Sequence, residues 1–347
     1  MSSEGMMRGL VKREAKMGLW LEEVPVPSPG VGEVLIKIRK VALCGTDLHI
    51  YKWDDWAQRT VPVPMVVGHE FVGEIAALGE GVTDWKIGER VCGEGHLTCG
   101  KCRHCRTGNR HLCVATEGVG YDCVGCFADY FVLPTQNLFR PSPEIPDEVA
   151  CLLDPLGNAV HTVRTCRVGA ADVLVTGAGP IGIMGAVIAK HLGARRVVIT
   201  DVSSYRLDLA RKLGVEHCVN VAETDLDSYC RSVGIDAGFS VGLEMSGSPD
   251  AFNQMLEAVD HGAEIALLGL LPRWTGIDWD RVIFKMLTLH GIYGRKIFDT
   301  WYTAEALLCS GLNIDALITH RYPFEEFDRG FQAMLEGVSG RVVLDVS

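Results

Sequence analysis

Four of the chain's 13 cysteines follow one another at short intervals. They are Cys99, Cys102, Cys105 and Cys113, in a polar, glycine-containing stretch that is too short to form a core of its own. Four thiolates at this spacing can close tetrahedrally around one zinc ion and leave no position open for a substrate. The spacing predicts a structural zinc site that folds its loop, with a disulfide-bonded knot as the alternative.

A second set of metal-binding side chains precedes these cysteines. Cys44 opens the run Cys44–His49, and His69 and Glu70 follow Gly68. A catalytic zinc needs three protein ligands from thiolate, imidazole or carboxylate groups, and it keeps a fourth position for water or substrate. Taken singly, each residue is more often part of a core, but together they predict a catalytic zinc site at Cys44, His69 and Glu70.

A glycine-rich turn lies between an apolar strand, Val173–Val175, and an apolar helix predicted from Ile181 to Leu192. Gly177 permits the tight turn, Gly179 lets the backbone approach a pyrophosphate, and Gly182 lets helix and strand pack closely. The helix start also presents free N–H groups to negative charge. The pattern is typical of a dinucleotide site, with a cofactor-free turn as the alternative.

The residues after this helix bear on the choice of cofactor. Asp201 ends the next apolar strand, 19 residues beyond Gly182. A carboxylate there accepts hydrogen bonds from both ribose hydroxyls and repels a 2′-phosphate, which favours NAD. Arg206 leaves NADP open as an alternative, because its guanidinium either covers the adenine or pairs with a 2′-phosphate.

The chain has two parts with different sequence patterns. Residues 7 to about 150 read as short strands and loops, with period-two alternation over Glu33–Arg39 and an apolar run at Phe131–Leu133. From about 151, apolar strands alternate with glycine turns and helices, which predicts an α/β fold with a doubly wound parallel sheet. A helix over Phe298–Cys309 and a strand over Arg341–Leu344 are predicted near the end.

Charge and composition exclude several classes of function. The chain has 33 basic and 44 acidic residues, and its formal charge of −11 argues against binding to nucleic acid or an anionic membrane. No apolar run is long enough to span a bilayer, and the N-terminal residues do not form an export signal. An odd number of cysteines in metal-like spacing further favours a reducing cytoplasm.

The motifs, in this chain order, resemble those of the zinc-containing medium-chain dehydrogenase family, from about residue 7 to the C-terminus. Within the family, four runs are similar to the branch that oxidises L-threonine. They are Cys44–Tyr51, Val61–Glu70, Asp154–His161 and Val282–Lys285. The resemblance implies zinc-dependent, NAD-linked oxidation of L-threonine to 2-amino-3-oxobutanoate. A polyol or vicinal-diol dehydrogenase and a non-catalytic NAD-binding protein stay open as alternatives.

The resemblance also implies an architecture. A GroES-like catalytic domain is expected in residues 1–150, completed by 297–347, with a Rossmann domain in 151–296. A cytoplasmic homotetramer with two zinc ions per subunit is expected as well. Residues 1–6 form an extension relative to the family pattern, and we expect them to be disordered.

Roles for individual residues follow from the same resemblance. Thr46 and His49 are expected to carry the substrate's proton away, and Asp154 to lie beside the catalytic zinc as a ligand or as an outer carboxylate. Candidates for the ammonium and carboxylate of the substrate are Glu94, His96 and Arg295. The implied cofactor contacts are Gly177, Gly179, Ile181, Gly182, Asp201, Arg206, Leu268, Gly269, Leu270, Ile292 and Tyr293.

Overall fold

The computed structural model describes residues 5–347. The strands of this part of the chain are β1 Met6–Lys12, β2 Trp20–Pro25, β3 Glu33–Leu43, β4 Met65–Val66, β5 Phe71–Leu78, β6 Arg90–Gly93, β7 His96–Leu97, β8 Glu117–Gly118, β9 Tyr130–Pro134, β10 Leu138–Phe139, β11 Asp172–Thr176, β12 Arg196–Asp201, β13 His217–Asn220, β14 Phe239–Glu244, β15 Val259–Leu267, β16 Thr288–Gly291, β17 Ile318–Pro323 and β18 Arg341–Asp345.

The α-helices are α1 Gly45–Lys52, α2 Asp55–Thr60, α3 Arg103–Arg106, α4 Asp147–Ala150, α5 Leu153–Thr165, α6 Pro180–His191, α7 Ser204–Lys212, α8 Leu226–Ser232, α9 Pro249–Ala258, α10 Trp279–Phe284, α11 Asp299–Cys309 and α12 Phe327–Leu335. Short 3₁₀ turns lie at Arg110–Leu112, Thr135–Asn137, Asp315–Leu317 and Phe324–Glu326. Among residues 5–347, no helix is both long and apolar enough to cross a membrane.

The chain forms two compact units. One extends to Asp154 and resumes at Ile318, and the other is Pro155–Leu317. The return to the first unit comes later than the predicted residue 297. The reason lies in helix α11, which is tied to α5 because Arg164 donates hydrogen bonds to Asp299 and Thr303 at 2.8 Å each.

The first unit is built on β-sheets around β3. Its larger sheet has the order β10-β6-β5-β3-β18-β17, with β9 also paired to β3, and its smaller sheets are β2-β1-β4 and β7-β8. Alternate residues of β3, such as Val34, Ile36 and Ile38, are buried because successive side chains of a strand point to opposite faces. The predicted strands at 33–39, 131–133 and 341–344 are confirmed by β3, β9 and β18.

The second unit contains one six-stranded parallel sheet with the order β13-β12-β11-β14-β15-β16. In the central strand β11, Val173, Leu174 and Val175 are all buried, as expected where helices cover both faces of a parallel sheet. The strand order reverses between β11 and β14, which makes this a doubly wound sheet. The predicted α/β fold is confirmed, and the predicted helix 181–192 corresponds to α6.

The prediction for the N-terminal extension is partly wrong. Residues 1–4 lie outside the described part of the chain, so the prediction stands untested there. Met6, however, begins β1 and pairs with Pro25 of β2. It is ordered because the backbone ladder of an antiparallel pair holds it.

Candidate metal and cofactor sites

The four closely spaced cysteines, called the cysteine quartet from here on, meet in the structure. One sulfur from each of Cys99, Cys102, Cys105 and Cys113 lies within 4.8 Å of all the others. Backbone N–H groups donate to the sulfurs, for example from Cys102 to Cys99 at 3.3 Å and from Ala115 to Cys113 at 3.4 Å. Such donors stabilise thiolates, the form in which cysteine binds metal. The donor set and its geometry therefore fit a tetrahedral zinc ion.

The pKa of the Cys113 thiol shows how these backbone N–H groups act. Burial raises its pKa, but the N–H groups of Cys99 and Ala115 outweigh burial and lower the pKa to about 6. A thiol with such a pKa is largely deprotonated at neutral pH. Cys113 is thus available as a thiolate ligand, whereas burial and the neighbouring sulfurs of Cys102 and Cys113 raise the pKa of the Cys105 thiol.

A second cluster combines different chemical groups. Cys44, Asp47 and His69 form one group of possible metal ligands, and His69, Glu70 and Asp154 form another; within each, ligand atoms lie within 4.8 Å of one another. We call these five residues the mixed cluster. Cys44 Sγ lies 3.1 Å from His69 Nε2, so a sulfur and an imidazole nitrogen are in direct contact. Carboxylates complete a donor set that suits zinc.

Cys44 is positioned by its place at the start of α1. It is the N-cap residue, with an extended backbone, and its sulfur accepts a hydrogen bond from the Thr46 N–H at 3.2 Å. An N-cap side chain normally satisfies a free N–H of the first helical turn. Here that donor also orients the sulfur towards His69.

His69 is positioned by backbone contacts around Gly68. Gly68 has φ +92°, and a Cβ there would come within 2.0 Å of the Phe127 ring. The N–H groups of Cys126 and Phe127 donate to the carbonyls of Gly68 and Val67, at 2.9 Å each. Only glycine fits this backbone conformation and this close approach without strain. The backbone position of His69, a candidate metal ligand, is therefore held by the residue before it.

Asp47 was missed by the sequence analysis. It is fully buried, its Oδ2 accepts from the Cys44 N–H at 2.9 Å, and its Oδ1 lies 3.8 Å from His69 Nδ1. A carboxylate behind the distal nitrogen of a metal-binding histidine orients the ring and raises its basicity. The available signal was Cys44-x-x-Asp47, the spacing of a capping box, with the aspartate as its N3 residue.

The charges of the mixed cluster favour a cation. Burial lowers the pKa of His69, but the charges of Cys44 and Asp47, followed by that of Asp154, outweigh burial and raise the pKa to about 10. The cluster therefore attracts positive charge to the point between Sγ and Nε2. A divalent cation satisfies this field, and the side chains present fit zinc.

Glu70 and Asp154 are both buried in the mixed cluster, at 2% and 4% exposure. Glu70 also forms an ion pair with Arg341, which is buried at 4% exposure and comes from β18. The sequence pattern around Arg341 predicts a strand and gives no sign of this contact. A buried charge needs a partner, so Arg341 neutralises Glu70 and restrains it from leaving its place beside His69.

Thr46 and His49 lie three residues apart in α1, which places them on the same face of the helix. Thr46 is half-buried, whereas the His49 side chain is 58% exposed. His49 Nδ1 is hydrogen-bonded to the carboxylate of Asp54, a residue that the sequence analysis did not single out. The pair thus has one member near Cys44 and one in contact with solvent.

The predicted dinucleotide loop follows β11 in the second unit. Gly177 has φ +92°, and a Cβ on Gly182 would come within 1.9 Å of the Gly177 carbonyl oxygen. Gly179 caps α6, has no side-chain cap, and would have its Cβ in open space. Pro180 occupies the first turn of the helix. The free N–H groups at this helix start and the space above Gly179 can receive a phosphate.

Asp201 is tied to this loop. Its Oδ2 accepts from the Ala178 N–H at 2.7 Å, and its Oδ1 accepts from the Ser203 N–H at 2.8 Å. Arg206 Nη1 lies 3.9 Å from Asp201 Oδ2, so the two side chains predicted to act on the ribose are neighbours. The arginine is therefore already beside a carboxylate, which reduces its capacity to hold a 2′-phosphate.

The other predicted cofactor contacts follow β15 and β16. Leu268 and Gly269 both donate their N–H groups to the carbonyl of Glu244, and Ile292 donates to Leu267. Leu270 and Tyr293 are exposed, at 93% and 55%. These backbone bonds hold the segment at the carboxyl ends of the parallel strands, where doubly wound folds bind their ligands.

The three candidates for substrate recognition are not all in one unit. Glu94 and His96 belong to the first unit, where His96 Nδ1 lies 3.7 Å from Glu94 Oε1. Arg295 belongs to the second unit, is buried, and donates to Asn158 Oδ1 at 3.3 Å. Each has a protein partner of its own.

Comparison with known proteins shows the class of protein to which this chain belongs. Residues 30–147 match the alcohol dehydrogenase GroES-like domain, and residues 180–310 match the zinc-binding dehydrogenase domain. A short chain alcohol dehydrogenase from Escherichia coli CFT073, solved in complex with NADH, has a TM-score of 0.90 at 25% identity. The alignment covers 99% of this chain and 100% of that one. The fold is therefore that of the zinc-binding dehydrogenases.

More similar relatives narrow the family. An L-threonine 3-dehydrogenase of Protochlamydia amoebophila is 57% identical, over 98% of this chain and 99% of the relative. Another L-threonine 3-dehydrogenase, from Escherichia coli K12, is 54% identical over 97% of this chain and 99% of the relative. The chain belongs to the L-threonine 3-dehydrogenase family.

Proposed function

We propose that this protein oxidises the secondary hydroxyl of L-threonine to give 2-amino-3-oxobutanoate, with NAD as the hydride acceptor and zinc at the mixed cluster. The observation that carries the proposal is the convergence of Cys44, His69 and two carboxylates in a chain more than half identical to L-threonine 3-dehydrogenases. Zinc held by Cys44, His69 and only one of these carboxylates would keep a fourth position for a substrate oxygen, which the cysteine quartet does not offer.

Cys44 and His69, with Glu70 or Asp154 as the third ligand, would hold the zinc ion, which would supply the Lewis acid that lowers the pKa of the substrate hydroxyl. Residues of the protein transfer the proton that the substrate hydroxyl loses. Thr46 both accepts and donates through one hydroxyl, and His49 exchanges protons with solvent because its side chain is 58% exposed. Asp47 holds the ring of His69 in place.

The metal content of the purified protein tests the assignment of two zinc sites. We expect two zinc ions per subunit, one in the cysteine quartet and one in the mixed cluster. A wild-type protein with only one zinc ion per subunit, and with that ion retained in a Cys44→Ser variant, would remove the mixed cluster from the proposal.

NAD is the proposed cofactor because Asp201 accepts a hydrogen bond from the Ala178 N–H of the glycine loop. A carboxylate beside a bound ribose would accept from both hydroxyls and repel a 2′-phosphate. Asp201→Gly removes the charge that opposes a 2′-phosphate, so activity with NADP should rise relative to NAD. The ratio of kcat/KM for the two cofactors measures this. Asp225→Gly, which removes another aspartate that accepts a backbone N–H in the same unit, serves as the control. An unchanged ratio would separate Asp201 from the ribose.

The substrate is tested by NADH formation with the threonine stereoisomers, sorbitol and 2,3-butanediol. We expect strong selectivity for L-threonine and loss of turnover after metal removal. Activity with only a polyol or a diol would keep the zinc dehydrogenase and overturn the substrate. Turnover of none of them, with NAD still bound, would favour the non-catalytic alternative.

We also propose a homotetramer in a reducing cytoplasm. Large apolar side chains are exposed between residues 270 and 286 of the second unit, among them Leu270 at 93%, Trp274 at 98% and Met286 at 82%. Contiguous exposed apolar side chains mark association surfaces. None of the 13 cysteines, which all lie in the described part of the chain, forms a disulfide bond, which suits a reducing compartment. Light scattering of the purified protein should give the mass of four subunits; a monomer would contradict the assembly.

A further inference from the structure

Asp54 makes two different contacts through its two carboxylate oxygens. Its Oδ1 accepts from the N–H groups of Trp56 and Ala57, at 3.1 Å each, and thereby caps α2. Its Oδ2 is hydrogen-bonded to Nδ1 of His49. The first contact is an ordinary N-cap. The second reaches back to the last turn of α1, and capping does not require it.

The backbone between the two helices places Asp54 beside His49. Trp53 ends α1 in a left-handed conformation, with φ 57°, and its N–H donates to the His49 carbonyl at 3.0 Å. The Asp54 N–H donates to the same carbonyl at 3.4 Å. The Trp56 ring then lies edge-on to the imidazole, with 6.0 Å between ring centroids. The carboxylate and the indole therefore restrain an imidazole that is otherwise exposed.

The carboxylate also determines which nitrogen of His49 carries the hydrogen. Burial raises the pKa of Asp54, but the hydrogen bonds from His49 and from the Ala57 and Trp56 N–H groups outweigh burial and lower it. Asp54 is therefore ionised at neutral pH and can only accept. Nδ1 must donate to it, and the neutral ring keeps its lone pair on Nε2.

We propose that Asp54 is a positioning residue for proton release, which holds His49 in the Nδ1–H tautomer so that Nε2 can accept the proton of the substrate hydroxyl. This inference rests on the proposed function, in which Thr46 passes that proton to His49. A new N–H bond forms at Nε2, Nδ1 keeps its hydrogen against Asp54, and the carboxylate stabilises the imidazolium. The Nε2 proton then leaves to water, and the neutral tautomer returns.

Asp54→Asn separates the two contacts of this residue. The N–H groups of Trp56 and Ala57 require an acceptor, so the amide oxygen keeps the cap and the NH₂ group faces Nδ1. Nδ1 must then accept, the hydrogen moves to Nε2, and His49 loses its capacity as a base. Because asparagine caps as well as aspartate, the melting temperature should change little. We expect kcat for L-threonine to fall by about 10²-fold or more, the range for loss of a general base, with KM little changed.

Two further variants keep the test independent of folding. Asp54→Ser retains a capping hydroxyl but no contact with His49, so kcat should fall while the melting temperature stays near that of wild type. In His49→Gln, kcat should fall as far as it does in Asp54→Asn. In the double variant kcat should fall no further, since both substitutions act through the same imidazole. The inference would be overturned if Asp54→Asn had the kcat of wild type while His49→Gln had a reduced kcat.

The tautomer of His49 gives a readout that does not depend on turnover. Imidazole ¹⁵N chemical shifts of the histidine-labelled protein should show the Nδ1–H form in wild type and the Nε2–H form in Asp54→Asn. The same tautomer in both proteins would refute the positioning role, whatever the activity. If instead the tautomer changes as expected but wild type does not oxidise L-threonine, the proposed function fails and the positioning stands.

Discussion

The cysteine quartet and the mixed cluster both gather zinc ligands, but they are built in opposite ways. The quartet lies within residues 99–113, offers four identical sulfurs, and is stabilised by backbone N–H groups of the same loop. The mixed cluster joins α1, the residues before β5 and the start of α5, and three of its five members are buried carboxylates. A local set of like donors supports a loop, whereas a distant set of unlike donors supports chemistry.

The largest difference should appear when each cluster loses a thiol. Cys44→Ser should reduce kcat by about 10³-fold or more, because a catalytic metal contributes several kcal/mol to the transition state. The protein should still fold and bind NAD, as measured by circular dichroism and by titration. Cys309→Ser, at an exposed cysteine, is the control. Unfolding of Cys44→Ser, or retained turnover, would contradict the division between the clusters.

A milder change inside the mixed cluster should act on one metal alone. Asp47→Asn keeps an oxygen for the Cys44 N–H but removes the charge behind His69 Nδ1. Loss of such an outer carboxylate lowers metal affinity about 10- to 100-fold. Competition with a chromogenic chelator should show one weakened zinc and one unchanged. Equal weakening of both, or of neither, would mean that Asp47 does not orient His69.

The smallest effect on catalysis should come from the quartet. Cys102→Ser should lower the melting temperature by about 4–8 °C, which corresponds to roughly 2 kcal/mol in a unit of this size. Activity per folded subunit should remain close to wild type. Cys123→Ser, at a nearby cysteine outside the quartet, is the matched control. A melting temperature like that of Cys123→Ser together with lost activity would reverse the roles assigned to the clusters.

Local patterns allowed much of this to be predicted from the sequence. The spacing of the quartet, the alternation in β3 and the glycine turn after β11 depend on neighbouring residues, which a sequence displays directly. The contact of Arg341 with Glu70 joins residues 271 positions apart, and only the pairing of β18 with β3 brings them together. The end of the second unit at Leu317 similarly depends on how α11 packs.

Asp47 and Asp54 illustrate a different limit. Both were visible as residues at helix starts, where aspartate is common for reasons of capping alone. The second oxygen of Asp54 is hydrogen-bonded to His49, and that of Asp47 lies 3.8 Å from Nδ1 of His69. Nothing in the spacing of the residues distinguishes these positions from capping alone. The candidate ligands therefore allowed a zinc site to be predicted from the sequence. The carboxylates beside the histidines could not be predicted in the same way.

The backbone around Gly68 has a consequence for laboratory evolution of this protein. Gly120 and Gly125 also approach Gly68, and a Cβ on either would come within 2.3–2.4 Å of its carbonyl oxygen. In a library that randomises these three positions in search of new substrates, most variants would have a misplaced His69 side chain. Diversity is better introduced elsewhere, with all three glycines kept constant.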